Sequence, residues 1–411
     1  MARRVTQLEL VTTQGVAGHL VRSSQFVMRY TLEASALPER AISLTMASRV
    51  EPYLSNRLPP VLAMNLPEGF LLDIVHERYA KTVNVKDEMN LLALTSTPTT
   101  GRVWAHGEQE TVRPGQVSLK ELLSAKGTEE LFEDLVQRFA LSTSLAGVMP
   151  KVAVAERGKL HTPGWIVKTG GPEFPGLAEN EFICMSIAKA AGVEAPAFHL
   201  SDDRELFVIQ RFDVREDGRY NGFEDMACLM GYPPERKYEG SFSNIALAIK
   251  NNVAPANRAR DLERYFRQLT LSIALRNGDA HLKNWGITYS DPSVADQDAT
   301  LSPAYDVVCT IPYRPKDVLA LGFMGTKAWP ARETIEQFGR EHCGMAKPAH
   351  VIDEVIEAVH AFRPADKTPV WKSLHDVFSA GADSLRPSTQ VSAFRAKRNS
   401  ALVASKRNTP R

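Results

Sequence analysis

Cysteine is scarce: Cys184, Cys228, Cys309 and Cys343 are scattered through 411 positions with no CxxC pair. That scatter argues against both a zinc site and a disulfide framework, so the four read as reduced packing residues. Long apolar runs are missing as well, and no segment approaches the roughly 20 residues of a membrane span. The start, MARRVTQLELV, alternates with polar residues and lacks the apolar block of a signal peptide. The expectation is a cytoplasmic protein with no membrane partner.

Neither net charge nor disorder-promoting composition is present in excess. Apolar residues make up 44% and charged residues 24%, with the two signs nearly balanced, the profile of an ordinary folded chain. At this length two or three packed units are expected, with room for a deep cleft. The balance hides an asymmetry. From Val391 onward there are six basic residues (Arg395, Lys397, Arg398, Lys406, Arg407 and Arg411) and no acidic one, leaving 43 basic against 48 acidic side chains before it. Such a tail reads either as a solvated end or as a contact for nucleic-acid phosphates.

Taken in order, LELV, VAGHLV and QFVMRYTL between Leu8 and Leu32 have strand character and predict a small antiparallel sheet. A helix is expected after Leu66-Pro67-Glu68-Gly69, with Leu71, Leu72, Val75 and Tyr79 at helical spacing. A second follows around Asp87 to Leu94, then a strand at Arg102 to His106. Ser118 and Glu121 form a capping-box signature, and Thr128 starts a helix with Leu131, Phe132, Leu135, Val136 and Phe139 on one face. That helix leads to the loop STSLAGVMPK.

The loop supplies hydroxyls at Ser142, Thr143 and Ser144, then Ala146 and Gly147, then Lys151 opening a strand; Gly164 to Lys168 is the next strand. Backbone amides here could cradle phosphate, with Lys168 pairing the α and β phosphates. The alternative is an ordinary hairpin with a snorkelling lysine, since the loop is neither GxGxxG nor a Walker A motif. A helix from about Asn180 to Ala191, stopped by Gly192, places Glu181 in its first turn. Glu181 is there either as a partner for Lys168 or as a complement to the helix dipole. Leu206 to Ile209 is a buried strand running into Gln210-Arg211-Phe212-Asp213, a hinge candidate. Helices are then read at Phe223 to Met230, Phe242 to Lys250 and Arg258 to Leu275, the last carrying Leu262, Tyr265, Phe266, Leu269 and Ile273 on one face, and again from Arg332 to Leu385.

Behind that long helix comes NGDAHLKNWGITY, and after an excursion LSPAYD, so that Asp279, His281, Asn284 and Asp306 follow one pillar. One carboxylate for an acceptor hydroxyl, then an amide oxygen and a second carboxylate for Mg²⁺ on a nucleotide, are the parts phosphoryl transfer needs. An Asp five residues before an Asn also arises by chance, and then Asp279 would merely cap an Asx turn beside a loop histidine. The conjunction of pillar, DxHxxN, a β-return, AYD and an upstream strand lysine favours an ATP-dependent kinase.

These stretches also carry a family resemblance. SLAGVMPK from Ser144, WIVK ending at Lys168, NEFICMSIAKAAG from Asn180, RFD at Arg211, EDMACLMGYPPERKYEG from Glu224, NGDAHLKNWGI and LSPAYDVV, with NLPEG from Asn65, together resemble the HipA toxins. These are bacterial serine/threonine protein kinases of type II toxin–antitoxin systems, and DxHxxN is shared with phosphoinositide kinases. The resemblance implies an α+β, two-lobed, protein-kinase-like fold. Its expected parts are an N-terminal β/α subdomain (1–115), a kinase N-lobe with the phosphate loop (116–212), a mainly helical C-lobe with the catalytic loop (213–385) and a basic tail (386–411). It implies that Asp279 is the catalytic base and that Asn284 and Asp306 hold Mg²⁺. ATP would be met by Ala146, Gly147, Val148, Lys151, Lys168, Gln210, Phe212, His281 and Lys283, and Ser144 would be autophosphorylated. Expected partners are a small helix-turn-helix antitoxin that carries the complex to operator DNA and a protein substrate of the aminoacyl-tRNA synthetase class. Met149-Pro150 and Gln210 depart from some relatives, which have Gln-Glu and Glu there. A small-molecule or lipid kinase, and a catalytically silent antitoxin-binding co-repressor, remain as alternatives.

Overall fold

A computed structural model describes residues 5–66, 72, 84, 86–94, 100–106, 116–124, 151–156, 164–170 and 174–387, with the backbone alone for 116–117 and 151–156. The first three predicted strands form as β1 (Gln7–Thr12), β2 (Gly15–Arg22) and β3 (Phe26–Tyr30). With β4 (Tyr53–Ser55) and β5 (Val103–His106) they make an antiparallel sheet in the order β4-β3-β2-β1-β5. Alternation decides its faces: Leu8, Leu10, Leu20 and Met28 point into one core. The expected helix at Asp87 to Leu94 forms over Glu88–Leu94, whereas the one expected after Gly69 lies outside the described residues apart from Leu72.

A second sheet, ordered β6-β7-β8-β10-β9, is built from β6 (Gln116–Val117), β7 (Lys151–Glu156), β8 (Gly164–Lys168), β9 (Phe198–Leu200) and β10 (Phe207–Gln210). The predicted β7/β8 hairpin is present, and its register sets Lys151 opposite Lys168. The Ser118 capping box forms, Ser118 N donating to Glu121 Oε2 (2.8 Å) and Glu121 N to Ser118 Oγ (3.2 Å). The Thr128 helix lies outside the described residues. Against this sheet packs α1 (Leu177–Ala190), and Gly192, at φ +73°, takes the left-handed step that stops it.

The remainder is mainly helical: α2 (Phe242–Asn252), α3 (Arg258–Ala274), α4 (Arg332–Cys343), α5 (Pro348–Ala361) and α6 (Pro369–Asp383). α3 is the pillar, touching all four of the others and burying Leu262, Tyr265, Phe266, Leu269 and Ile273 as its 3.6-residue period requires. All four cysteines are buried and free. Among the described residues no helix is long and apolar enough to cross a membrane.

Two local expectations are corrected. α1 begins at Leu177, after the left-handed Gly176, so Glu179 and not Glu181 occupies its first turn. Glu181 therefore sits a turn deeper, facing the sheet, and dipole complementation does not explain it. Phe223 to Met230 is not a helix throughout. Gly222–Asp225 is a strand, β11, paired with β12 (Gly286–Tyr289), which also pairs β13 (Thr300–Leu301). Only Met226–Leu229 turns helically, capped by Asp225 Oδ1 on the Cys228 amide at 2.7 Å. Cross-strand pairing of Phe223 with Thr288 outweighs the short run's helical pattern.

Candidate active site

The loop from Asn277 to Asn284, the candidate catalytic loop, is launched by the end of α3. Arg276 takes φ +57°, its amide reaches Ile273 O (3.2 Å), and the Asn277 amide reaches Ser272 O (2.8 Å). That pair of bonds is a Schellman cap, which turns the chain sharply off the helix axis. Asn277 Oδ1 accepts from the Asp279 amide (3.1 Å), and Gly278 N donates to Thr310 Oγ1 (3.0 Å). A Cβ on Gly278 would lie 2.1 Å from Asp317 Oδ2 and 2.8 Å from Thr310 Oγ1, so a side chain there requires the loop or those side chains to shift. The His281 amide donates to Asn284 Oδ1 (2.9 Å), folding Leu282–Asn284 into a single 3-10 turn.

Lys168 ends β8 fully buried, its Nζ 2.5 Å from Glu181 Oε1 and in contact with Asp306 Oδ1. Burial pulls its pKa down, but the two carboxylates outweigh that and hold it above the usual lysine value. Asp306 has φ +55°, a left-handed conformation that is strained for a residue with a side chain. The strain aims its carboxylate: Oδ1 meets Lys168, while Oδ2 faces Asn284 Nδ2 at 3.4 Å. Downstream, the buried Asn180 of α1 clamps Cys309, accepting from its amide (3.0 Å) and donating to its carbonyl (2.9 Å). Strand, α1 and the return segment are thus tied around one cluster.

Asp279 is half-buried, and its Oδ1 accepts from Tyr238 Oη at 2.8 Å. Burial raises its pKa above the ordinary aspartate range; the Tyr238 bond and the Lys237 and Arg314 charges pull the other way, while Asp306 adds to the rise. A carboxylate with increased proton affinity beside a lysine-held carboxylate is equipped to take a proton from a hydroxyl. Hard oxygen donors at Asn284 and Asp306 suit Mg²⁺, which takes one or two protein groups and completes its shell with phosphates and water. Among the described residues no set of three or more His, Cys, Asp or Glu side chains forms a metal cage.

The other predicted site residues fall as follows. Ser144, Ala146, Gly147 and Val148 lie outside the described residues, and Lys151 is described by its backbone alone. Gln210 ends β10, its amide bonded to Ala197 O (2.8 Å). Phe212 packs against Phe223 and Tyr305, with centroids 5.3 and 5.6 Å away. His281 is buried edge-on to Tyr238 at 5.0 Å. Lys283 points away from the Lys168 cluster: Nζ donates to Met64 O (3.1 Å) and sits 3.6 Å from Asp225 Oδ2.

That Lys283 bond helps to seat the N-terminal sheet beside the site, and two further ties among the described residues do the same. Asp213, held by Arg211 through Nε–Oδ1 at 2.9 Å and Nη2–Oδ2 at 2.5 Å, accepts from the Gly101 amide at 2.7 Å. Glu224, fully buried, accepts from Ser43 Oγ (2.6 Å), the Leu44 amide (2.8 Å) and Tyr289 Oη (2.6 Å). Phe223 and Cys228 also enter the N-terminal core. Sequence reasoning missed these ties and Tyr238. The only signal was their place in RFD and EDMACLMGYPPERKYEG, whose chemistry no local pattern discloses.

Comparison with known proteins is consistent along the chain. Residues 8–105 match the family model of the HipA N-terminal domain and residues 143–362 that of the HipA-like C-terminal domain. Two Sinorhizobium fredii proteins named as inferred kinases are similar. Y4dM is 29% identical over 83% of this chain and 84% of its own, and Y4mE 27% identical over 77% and 82%. The HipA toxin of Shewanella oneidensis, solved with HipB and operator DNA, superposes with a TM-score of 0.68 at 18% identity, covering 92% of this chain and 96% of that one. Its likeness supports the α+β, two-lobed kinase-like architecture.

Proposed function

The chain belongs to the HipA family, and on that premise we propose that it is an ATP-dependent serine/threonine protein kinase, the toxin of a toxin–antitoxin pair. The observation that carries the proposal is the junction of Lys168, Glu181 and Asp306, with Asn284 alongside. A strand lysine held by a helix glutamate and reaching the metal-binding aspartate is the phosphate-gripping half of a kinase. Asp279, with its raised proton affinity, is the other half.

In this mechanism Lys168 lies along the α and β phosphates while Glu181 keeps it from swinging away. Asn284 and Asp306 would hold Mg²⁺, which would supply charge neutralisation on the transferring phosphate. Asp279 takes the proton of a serine or threonine hydroxyl as that oxygen bonds the γ phosphorus. The bond from phosphorus to the β–γ bridging oxygen breaks, and ADP leaves. We assign Gln210 and Phe212 to the adenine and Ala146, Gly147, Val148, Lys151 and His281 to the phosphates, whereas Lys283, bonded to Met64 O and 3.6 Å from Asp225, serves the tie to the N-terminal sheet. The acceptor we assign is a cytoplasmic translation protein of the aminoacyl-tRNA synthetase class. The Shewanella complex of HipA with HipB and operator DNA supports an antitoxin as partner, which we assign as a small helix-turn-helix protein that carries this chain to operator DNA.

Autophosphorylation of Ser144 would place nearly two negative charges beside the nucleotide site and expel the loop, switching the enzyme off. Incubation of the purified chain with γ-labelled ATP and Mg²⁺ tests the proposal. Label on protein serine or threonine, and ATP-dependent phosphate on Ser144, are expected. Label on lipid or a small molecule alone, or no label at all, would contradict it.

A further inference from the structure

Tyr238 stands outside every role assigned so far, yet it is the side chain bonded to the candidate base. Its hydroxyl donates to Asp279 Oδ1 at 2.8 Å, and among the described residues no hydrogen bond is made to Oδ2. Its ring meets the buried His281 edge-on, at 5.0 Å and 78°, which limits how it can turn. The residue nevertheless remains 40% exposed. It is therefore a rigid aromatic at the mouth of the site, with its polar tip on the reacting carboxylate.

The backbone beneath it is built for this placement. The Leu282 amide, inside the catalytic loop, donates to Lys237 O at 3.0 Å. On the opposite side Lys327 Nζ reaches Tyr238 O (3.4 Å) and Ala320 O (2.7 Å), and the Gly322 amide donates to Gly240 O (3.0 Å). Gly240, at φ +91°, lets the strap turn into the Ser241 cap of α2. So 237–241 is strung between the catalytic loop and the 319–327 segment, and Tyr238 moves only if both give way.

We infer that Tyr238 is the positioning residue of the phosphoacceptor site: its hydroxyl fixes one oxygen of Asp279 so that the other receives the acceptor proton, and its exposed ring is the wall against which the serine- or threonine-bearing segment lies. The inference rests on Asp279 being the base. A phenol suits the task better than a lysine or arginine would. It orients the carboxylate through one hydrogen bond without adding a permanent positive charge that would suppress its basicity. Among the described residues the charges that act on Asp279 include Lys237 and Arg314, which favour its ionised form, and Asp306, which opposes it, with the titratable His281 packed on the Tyr238 ring; Tyr238→Phe leaves all four in place.

The test is the pH dependence of kcat for ADP release from Mg·ATP by the full chain, comparing wild type, Tyr238→Phe and Asp279→Asn. Loss of the hydroxyl removes a bond that favours the carboxylate, so the acid limb of Tyr238→Phe should move to higher pH. Turnover should fall about tenfold below the limb and recover above it, short of the hundredfold or more that loss of the base costs throughout. KM for ATP and the thermal stabilisation by Mg·ATP should match wild type, showing that the fold and nucleotide site are intact. Coincident limbs for wild type and Tyr238→Phe, or an equal loss at every pH, overturn the role of Tyr238 even if Asp279→Asn is inactive. Wild-type turnover by Asp279→Asn would instead remove the premise.

Discussion

Lys168 Nζ lies 2.5 Å from Glu181 Oε1 across the gap between β8 and α1, with both side chains shut away from solvent. Breaking one side of such a pair leaves a buried charge uncompensated, at a cost of about 3–5 kcal/mol. Lys168→Met should therefore lower the urea midpoint and abolish turnover together. The double variant Lys168→Met/Glu181→Gln should regain much of the stability and none of the turnover. Recovery of both would place the lysine outside the chemistry.

Asp279→Asn keeps the size of the side chain and an oxygen for Tyr238, so the fold should survive. Its kcat should drop by a factor on the order of 10² to 10⁴, the usual worth of a positioned base. Because burial raises the Asp279 pKa, the wild-type rate should fall on acidification at a pH above that of an ordinary aspartate. A wild-type profile flat across that range would count against this residue as the base.

Glu224 collects four donors, Ser43 Oγ and the Leu44 amide from the N-terminal sheet's side of the molecule, Tyr289 Oη and, at 3.4 Å, Cys228 Sγ. Glu224→Ala strands Ser43 Oγ, the Leu44 amide and Tyr289 Oη in the interior. A loss of roughly 3 kcal/mol is expected. The urea midpoint should fall accordingly, and a change within about 0.5 kcal/mol, the surface-substitution range, would show that the tie is dispensable.

Gly278 abuts Asp317 Oδ2, so Gly278→Ala should move the loop at the point where it leaves α3. Displacement by even an ångström of a reacting group is worth about 10² in rate. We expect kcat to fall by about that factor with little change in melting temperature. Unchanged kcat would mean that Asp317 swings aside freely.

How much of this was legible beforehand follows from the range of the interactions. α3 was legible because Leu262 through Ile273 repeat at 3.6 residues, and β1 to β3 because they alternate. The members of the candidate site, Lys168, Glu181, Asp279, Asn284 and Asp306, were legible as residue types that phosphoryl transfer uses. Tyr238, Arg211–Asp213 and Glu224 were not. Glu224 reaches Ser43 across 181 positions, and no local period encodes such a partner. The same long-range pairing turned the start of Phe223 to Met230 into a strand, and Gly176 moved the start of α1 three residues earlier than its apolar pattern suggested.

The central claim is that Asn277 to Asp306 transfers phosphate to a protein. Expression of the wild type and of Asp279→Ala in bacterial cells, followed by phosphoproteomics, tests it most directly. Growth arrest and a serine or threonine phosphopeptide found with the wild type alone are predicted, the peptide naming the acceptor. Identical growth and identical phosphoproteomes in the two cultures would contradict the kinase account.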